Sequence, residues 1–109
     1  MGRFVIIKRS STDYQFNLLA KNGEIILSGN CYPTNSACRN AIESARAHAA
    51  YDDNYTCHSI KGNNYYFTLK AINAEVVGIS NIYESAAERD IGIELVRDNV
   101  IGAFVDDRS

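Results

Sequence analysis

The groups that could do chemistry in this chain of 109 residues are few: two histidines and three cysteines, His48, His58, Cys31, Cys38 and Cys57. No pair among them has the close spacing of a zinc site, and there is no Cys-x-x-Cys, so no metal is expected. A Cys–His nucleophile pair would require Cys31 or Cys57 to meet a histidine across the fold, and nothing local prepares that meeting. Cys38 falls on the apolar face of a predicted helix and Cys57 in a predicted strand, which is the pattern of packing residues. His48 lies near the C-terminus of the same helix, where a ring gains from the helix dipole without any further role. With no phosphate-binding loop and no catalytic constellation, neither a catalytic residue nor a cofactor is expected.

Composition narrows the classes further. Hydrophobic content of 46% and charged content of 22% are those of a globular domain with its own core. A net charge of −2 lacks the cationic excess of a dedicated nucleic-acid binder. The opening Met-Gly-Arg-Phe-Val-Ile-Ile-Lys holds too short an apolar run for a signal peptide or a membrane span, and Ile6 stands where a myristoylation signal needs Ser or Thr. An odd number of cysteines reads as reduced thiols, and the expected location is cytoplasmic with no membrane partner.

Any site must therefore be assembled by the elements, and these come twice. Phe16 falls on Phe67, a shift of 51 residues (67 − 16), and the same shift pairs Tyr14 with Tyr65, Leu18 with Leu69, Ala20 with Ala71 and Asn22 with Asn73. It continues without a gap through Asn30 and Asn81, Tyr32 and Tyr83, Ile42 and Ile93, Glu43 and Glu94, Arg46 and Arg97. Repeat 1 spans about 3–54 and repeat 2 about 55–106, within one domain.

Each copy predicts three strands and a helix. Phe4–Arg9 and Tyr55–Ile60 are first strands. Tyr14, Phe16, Leu18 and Ala20 then alternate with polar residues, as do Tyr65, Phe67, Leu69 and Ala71, which describes a sheet buried on one face. Asn22-Gly23 predicts a type I′ turn before the third strand, Glu24–Ser28. Asn73-Ala74 at the equivalent place, before Glu75–Ser80, gives Ala74 a left-handed penalty of about 1 kcal/mol. Thr34 and Ser85 are predicted N-caps, and Cys38, Ile42, Ala45 and Ala49 follow helical spacing toward the sheet. Tyr51–Asn54 links the copies, Ala103–Asp106 adds a short last strand, and the remaining tail is expected to fray. Residues 1–54 alone bury too little surface to stand as a monomer and should pair with a second copy.

The duplicated body resembles a known family. Asn22-Gly23-Glu24-Ile25-Ile26-Leu27, then Tyr32, then Ala37 and Asn40-Ala41-Ile42-Glu43-Ser44 are similar to the YegP-like family of uncharacterised bacterial proteins. Tyr65-Tyr66-Phe67-Thr68-Leu69-Lys70-Ala71, Asn73, Tyr83 and Gly92-Ile93-Glu94 repeat the match, which covers nearly the whole chain. The resemblance implies an α+β fold: two tandem β-β-β-α(-β) repeats share one antiparallel sheet, carry two helices on one face and exchange their last strands. Single-copy relatives would form the same body as dimers. This chain departs from the family in having Asn35 and Ala86 where Lys is usual, and Asn40-Ala41 and Ile91-Gly92 where Asn-Gly is usual. No activity is carried over.

Three surfaces are candidates for function. The repeated polar residues read structurally as fasteners, with Glu43–Arg46 and Glu94–Arg97 paired along their helices, Tyr32 and Tyr83 bracing the helices against the sheet, and Asn30 and Asn81 capping or turning the loop. Read functionally, they line two related grooves, Tyr32 with Arg46 and Tyr83 with Arg97. The third surface is the open sheet face, expected to show Gln15, Asn17, Leu19, Ile26, Tyr66, Thr68, Lys70, Val77 and Ile79. It suits a protein partner or self-association, or single-stranded nucleic acid through Tyr66 and Lys70 with Arg9. The expectation is a non-enzymatic binding or scaffold module. The alternatives are a nucleic-acid-associated protein and, behind it, a small enzyme with a Tyr/Arg/Glu site at the helix starts.

Overall fold

The computed structural model describes residues 2–109. Strands β1 (Arg3–Ser10), β2 (Asp13–Leu19) and β3 (Ile25–Tyr32) lead into helix α1 (Asn35–Ala49). A 3-10 turn, Asp52–Asn54, enters the second copy: β4 (Tyr55–Ile60), β5 (Asn64–Lys70), β6 (Val76–Ile79), helix α2 (Ala86–Val100) and a last strand β7 (Phe104–Asp107). All seven strands form one sheet in the order β4-β5-β6-β3-β2-β1-β7. Phe4, Phe16, Leu18 and Ile42 of the first copy join Tyr55, Phe67, Leu69 and Val96 of the second in a single apolar core.

The sheet is mixed rather than wholly antiparallel. Six strands pair antiparallel, and β7 runs parallel to β1, with Arg3 beside Phe104 and Ile6 beside Asp107. The cause is the path of the chain: α2 returns it to the end of the sheet at which β1 begins, so a strand started there must run alongside β1. The tail beyond β7 is tied down, since the Arg108 N–H donates to the Ile6 carbonyl at 2.9 Å and Asn35 donates to the Ser109 hydroxyl.

Two local expectations are corrected. The Asn22-Gly23 turn is a three-residue loop, not a type I′ turn: Gly23 alone has positive φ, +87°, and its N–H reaches the Ala20 carbonyl while the Ala20 N–H reaches Glu24. Ala74 repeats this with φ of +67° and the same bonds between Ala71, Ala74 and Glu75. Ile26 and Val77, expected on the open face, are buried against the helices. The register shifts between Leu18 and Leu19 and between Leu69 and Lys70 leave each of them as the extra residue of a β-bulge, which breaks strict alternation.

The repeated residues hold the halves together reciprocally. Between β3 and β6 the pairing in register is Ser28 with Ile79. Asn30 donates across this joint to the Val76 carbonyl at 2.7 Å, and Asn81 donates back to the Ile25 carbonyl at 2.8 Å. These asparagines thus bridge the copies rather than turn a loop. Position 48 and its equivalent 99 do the same for the helices. His48 Nδ1 meets the Ser44 carbonyl at 2.7 Å, and its Nε2 accepts the Ile72 N–H at 3.2 Å. Asn99 donates to the Leu95 carbonyl and accepts the Lys21 N–H at 3.2 Å. Each helix is pinned to the turn of the other copy.

Candidate functional site: two helices and a helix-free sheet face

The helix starts are built from short polar caps. Thr34 Oγ1 accepts the Ala37 N–H and Ser85 Oγ accepts the Glu88 N–H, both near 3.0–3.1 Å, satisfying donors that have no partner within the helix. Just before each cap a tyrosine turns inward. Tyr32 stacks on Phe16 and Tyr83 on Phe67, each with ring centroids 6.5 Å apart. A Cβ added at Gly92 would lie 2.5 Å from the Tyr83 hydroxyl, so the small residue there makes room for the ring. Burial, reinforced by Glu75 near Tyr32 and Glu24 near Tyr83, raises both phenol pKa values above the ordinary range and keeps them neutral.

The two arginines do not join those tyrosines. Arg46 and Arg97 line one cavity between the helices, about 570 Å³, together with Glu94, Asp98 and the apolar Val100 and Ile101. Tyr32 lines a different cavity of about 300 Å³, between α1 and the turn before β6. In the inter-helix cavity two cations face two acids, a balanced lining with no excess charge for an anion. Arg46 donates to Glu43 at 3.1 Å and lies over the Phe4 ring at 5.1 Å. Arg97 is turned instead to Asp52, at 2.7 Å, and the expected pair with Glu94 is replaced because the 3-10 turn carries Asp52 beneath it.

Across the sheet from the helices, the pairing register aligns one residue from every strand. Thr56, Thr68, Ile79, Ser28, Asn17, Val5 and Asp106 form a continuous row. Tyr66 sits on this face, stacked on its cross-strand partner His58 with centroids 4.6 Å apart, and the His58 ring contacts the Thr68 hydroxyl at 3.1 Å. Lys70 is at the far end of the same strand. Ile25 and Ile79, 41% and 44% exposed, place apolar surface near the joint between the copies.

The cysteines divide by environment. Cys38 is buried under α1, where burial pushes its thiol up to about 11 and makes it inert at neutral pH. Cys57, expected to pack, is exposed on β4, and Cys31 is exposed as well. Among the described residues no cluster of His, Cys, Asp and Glu could hold a metal ion, and no helix is long and apolar enough to cross a membrane.

Comparison with known proteins reproduces the internal duplication. The family described as "Domain of unknown function (DUF1508)" matches twice, at residues 10–55 and 61–107. The chain belongs to the DUF1508 family. Its relatives include a UPF0339 protein of Shewanella oneidensis, 37% identical over 90% of this chain and 89% of that one. The UPF0339 protein YegP of Yersinia pestis is 35% identical over 98% and 96%. The solution structure of the E. coli protein yegP superposes with a TM-score of 0.90 at 32% identity, covering 98% of this chain and 92% of that one. A UPF0339 protein of Shewanella oneidensis, also solved in solution, superposes equally well at 35% identity, covering 97% and 90%. The YegP-like resemblance of the sequence is thereby secured. Within the DUF1508 family the matched segments carry Asn30, Asn81, His48 and Asn99, so the cross-copy fasteners lie inside the repeating unit itself. Sequence reasoning missed those bonds because partners 46 and 56 residues apart leave no local signal.

Proposed function

We propose that this protein is a non-enzymatic binding module that associates with protein through the helix-free face of its sheet, working in the reducing cytoplasm. The observation that carries the reading is the uneven covering of the sheet: both helices pack on one side, while on the other the seven-strand row, buried at Val5 and Thr68 and partly open elsewhere, runs beside the exposed Ile25 and Ile79 and the His58–Tyr66 stack. A flat face of this kind, apolar near its centre and polar around it, has the layout of an association surface. Three free cysteines suit that compartment.

Sedimentation velocity over a wide concentration range tests it. The wild-type chain is expected to self-associate at high concentration, and Ile79→Lys to stay monomeric while remaining folded. The second reading, a single-stranded nucleic-acid surface, draws on the His58–Tyr66 stack, since stacked rings accept bases of any identity. A wild-type chain that stays monomeric throughout, yet shifts single strands in a gel at low salt and loses that on Tyr66→Ala, would replace the first reading with the second.

A further inference from the structure

The edges of the sheet are equivalent by sequence and unequal in occupancy. β1 and β4 are the same strand of the two copies, with Phe4 matching Tyr55 and Ile6 matching Cys57. β1 is covered by β7 running parallel to it, whereas β4 pairs with β5 and, among the described residues, with no other strand. The reason is arithmetic. The shift of 51 carries Phe104–Asp107 back onto residues 53–56, and the chain has already used that segment to begin β4 itself. Copy 2 lends a strand to copy 1, and copy 1 has none left to return.

The seat of the missing strand is nevertheless present. Beside β4 lies a cavity of about 310 Å³ whose lining includes Tyr55, Cys57 and Ile93, the counterparts of Phe4, Ile6 and Ile42. In the first copy these three are fully buried; in the second, Cys57 is exposed and Ile93 half-buried. Val105 of β7 packs against the core at the covered edge, and among the described residues no strand lies beyond β4 to supply a counterpart.

The two seats also differ in charge. β7 is held at its C-terminal end by Asp107, which accepts from Arg39 at 2.7 Å and from Asn35 at 3.0 Å. At the equivalent positions the second copy has Asp90 and Ala86. Asp90, Asp52 and Glu94 line the open seat against the single cation Arg97. A strand ending in Asp-Asp is therefore matched to the first seat and repelled by the second.

We infer that the outer edge of β4 is a docking site for an extended segment of a partner protein, added as an eighth strand parallel to β4. The segment carries an apolar residue where β7 has Val105, and Lys or Arg two residues on, where β7 has Asp107. Main-chain hydrogen bonds to the edge supply affinity, and the Asp90 charge selects the segment. The tail of a second copy is disfavoured by its own carboxylates. This surface is separate from the sheet face proposed above, and its amides report separately.

The test uses the full chain and two synthetic peptides of residues 103–109, one of native sequence and one carrying Asp107→Lys. Backbone amide shifts of Cys57 and Ser59, which face away from β5, are followed by NMR. The Asp107→Lys peptide is expected to perturb them and to bind roughly threefold to fivefold more tightly than the native one, the effect of one partly exposed charge pair. Against the Asp90→Arg chain, whose substitution is on an exposed helix position and should leave the spectrum otherwise intact, the preference should reverse. Silence of the β4 amides with both peptides, tighter binding of the native peptide to the wild-type chain, or an unchanged preference in Asp90→Arg would each overturn the assignment.

Discussion

At equivalent positions the first copy is the better closed of the two. Phe4, Ile6 and Ile42 are fully buried beside the edge that β7 covers, whereas at the open edge Tyr55 stays buried, Cys57 is exposed and Ile93 is half-buried. The residue types have followed the exposure. Where the edge is covered, the first strand carries Phe and Ile. Where it is open, it carries the exposed Cys57, beside a Tyr55 that stays buried with its hydroxyl donating to the Ala49 carbonyl at 2.7 Å. The lesson is that a duplicated fold of this topology cannot close both edges with one chain, and the uncovered edge tolerates more polar side chains.

Removing β7 breaks that difference most directly. A chain ending at residue 103 should lose roughly 3 kcal/mol in urea unfolding, because Val105 no longer packs on the core and Phe4 and Ile6 meet water. The truncated protein should still fold, with the first edge now as open as the second. A midpoint equal to wild type would mean that β7 contributes no closure and that the two edges were equivalent all along.

The turns offer a smaller and cleaner contrast. Gly23 and Ala74 occupy the same left-handed position, φ +87° and +67°, with the same flanking hydrogen bonds. Glycine enters that region freely and alanine does not, so Ala74→Gly should stabilise the protein by about 1 kcal/mol. The gain is measurable as a raised urea midpoint at unchanged slope. A lowered midpoint would show that the entropy glycine adds to the unfolded chain outweighs the strain relieved.

How much of this was readable from the chain depends on how local each feature is. The repeat, the helices from Thr34 and Ser85, and the buried stripe Phe16–Leu18 and Phe67–Leu69 follow from spacing alone, and the structure has them. Ile26 and Val77 were misplaced because a bulge is decided by the partner strand, whose register one strand's alternation does not contain. The turn type at Gly23 went wrong for a related reason: Asn-Gly satisfies two loop lengths, and the pairing of Ala20 with Glu24 selects the longer. The partners of Arg97, Asn30 and His48 lie 24 or more residues away, and charge or hydrogen-bonding capacity alone does not name them. The duplication itself held the missing information. Asn30 and Asn81 recur at the shift of 51, and a polar residue kept at both copies of a joint is most simply explained by reciprocal use.

The finest contrast is electrostatic and lies again at the covered edge. Asp107 is held well below the ordinary carboxylate range, chiefly by hydrogen bonds from the Ser109 hydroxyl and N–H, with Asn35 and Arg39 adding to them. A carboxyl whose pKa is lower in the folded chain than in the unfolded one stabilises fully above the unfolded value, near pH 4, and loses that contribution as the pH falls toward the folded value. The group is close to solvent, so the effect is about 0.2–1 kcal/mol. The difference in urea midpoint between wild type and Asp107→Asn should therefore be present at neutral pH and shrink steadily below pH 4. Asp90, whose ion pair is with the neighbouring Arg89 at 3.3 Å, gives the matching substitution at the open edge, Asp90→Asn. If both substitutions shift that limb equally, the charge at the covered edge is general surface charge rather than a fastener for β7.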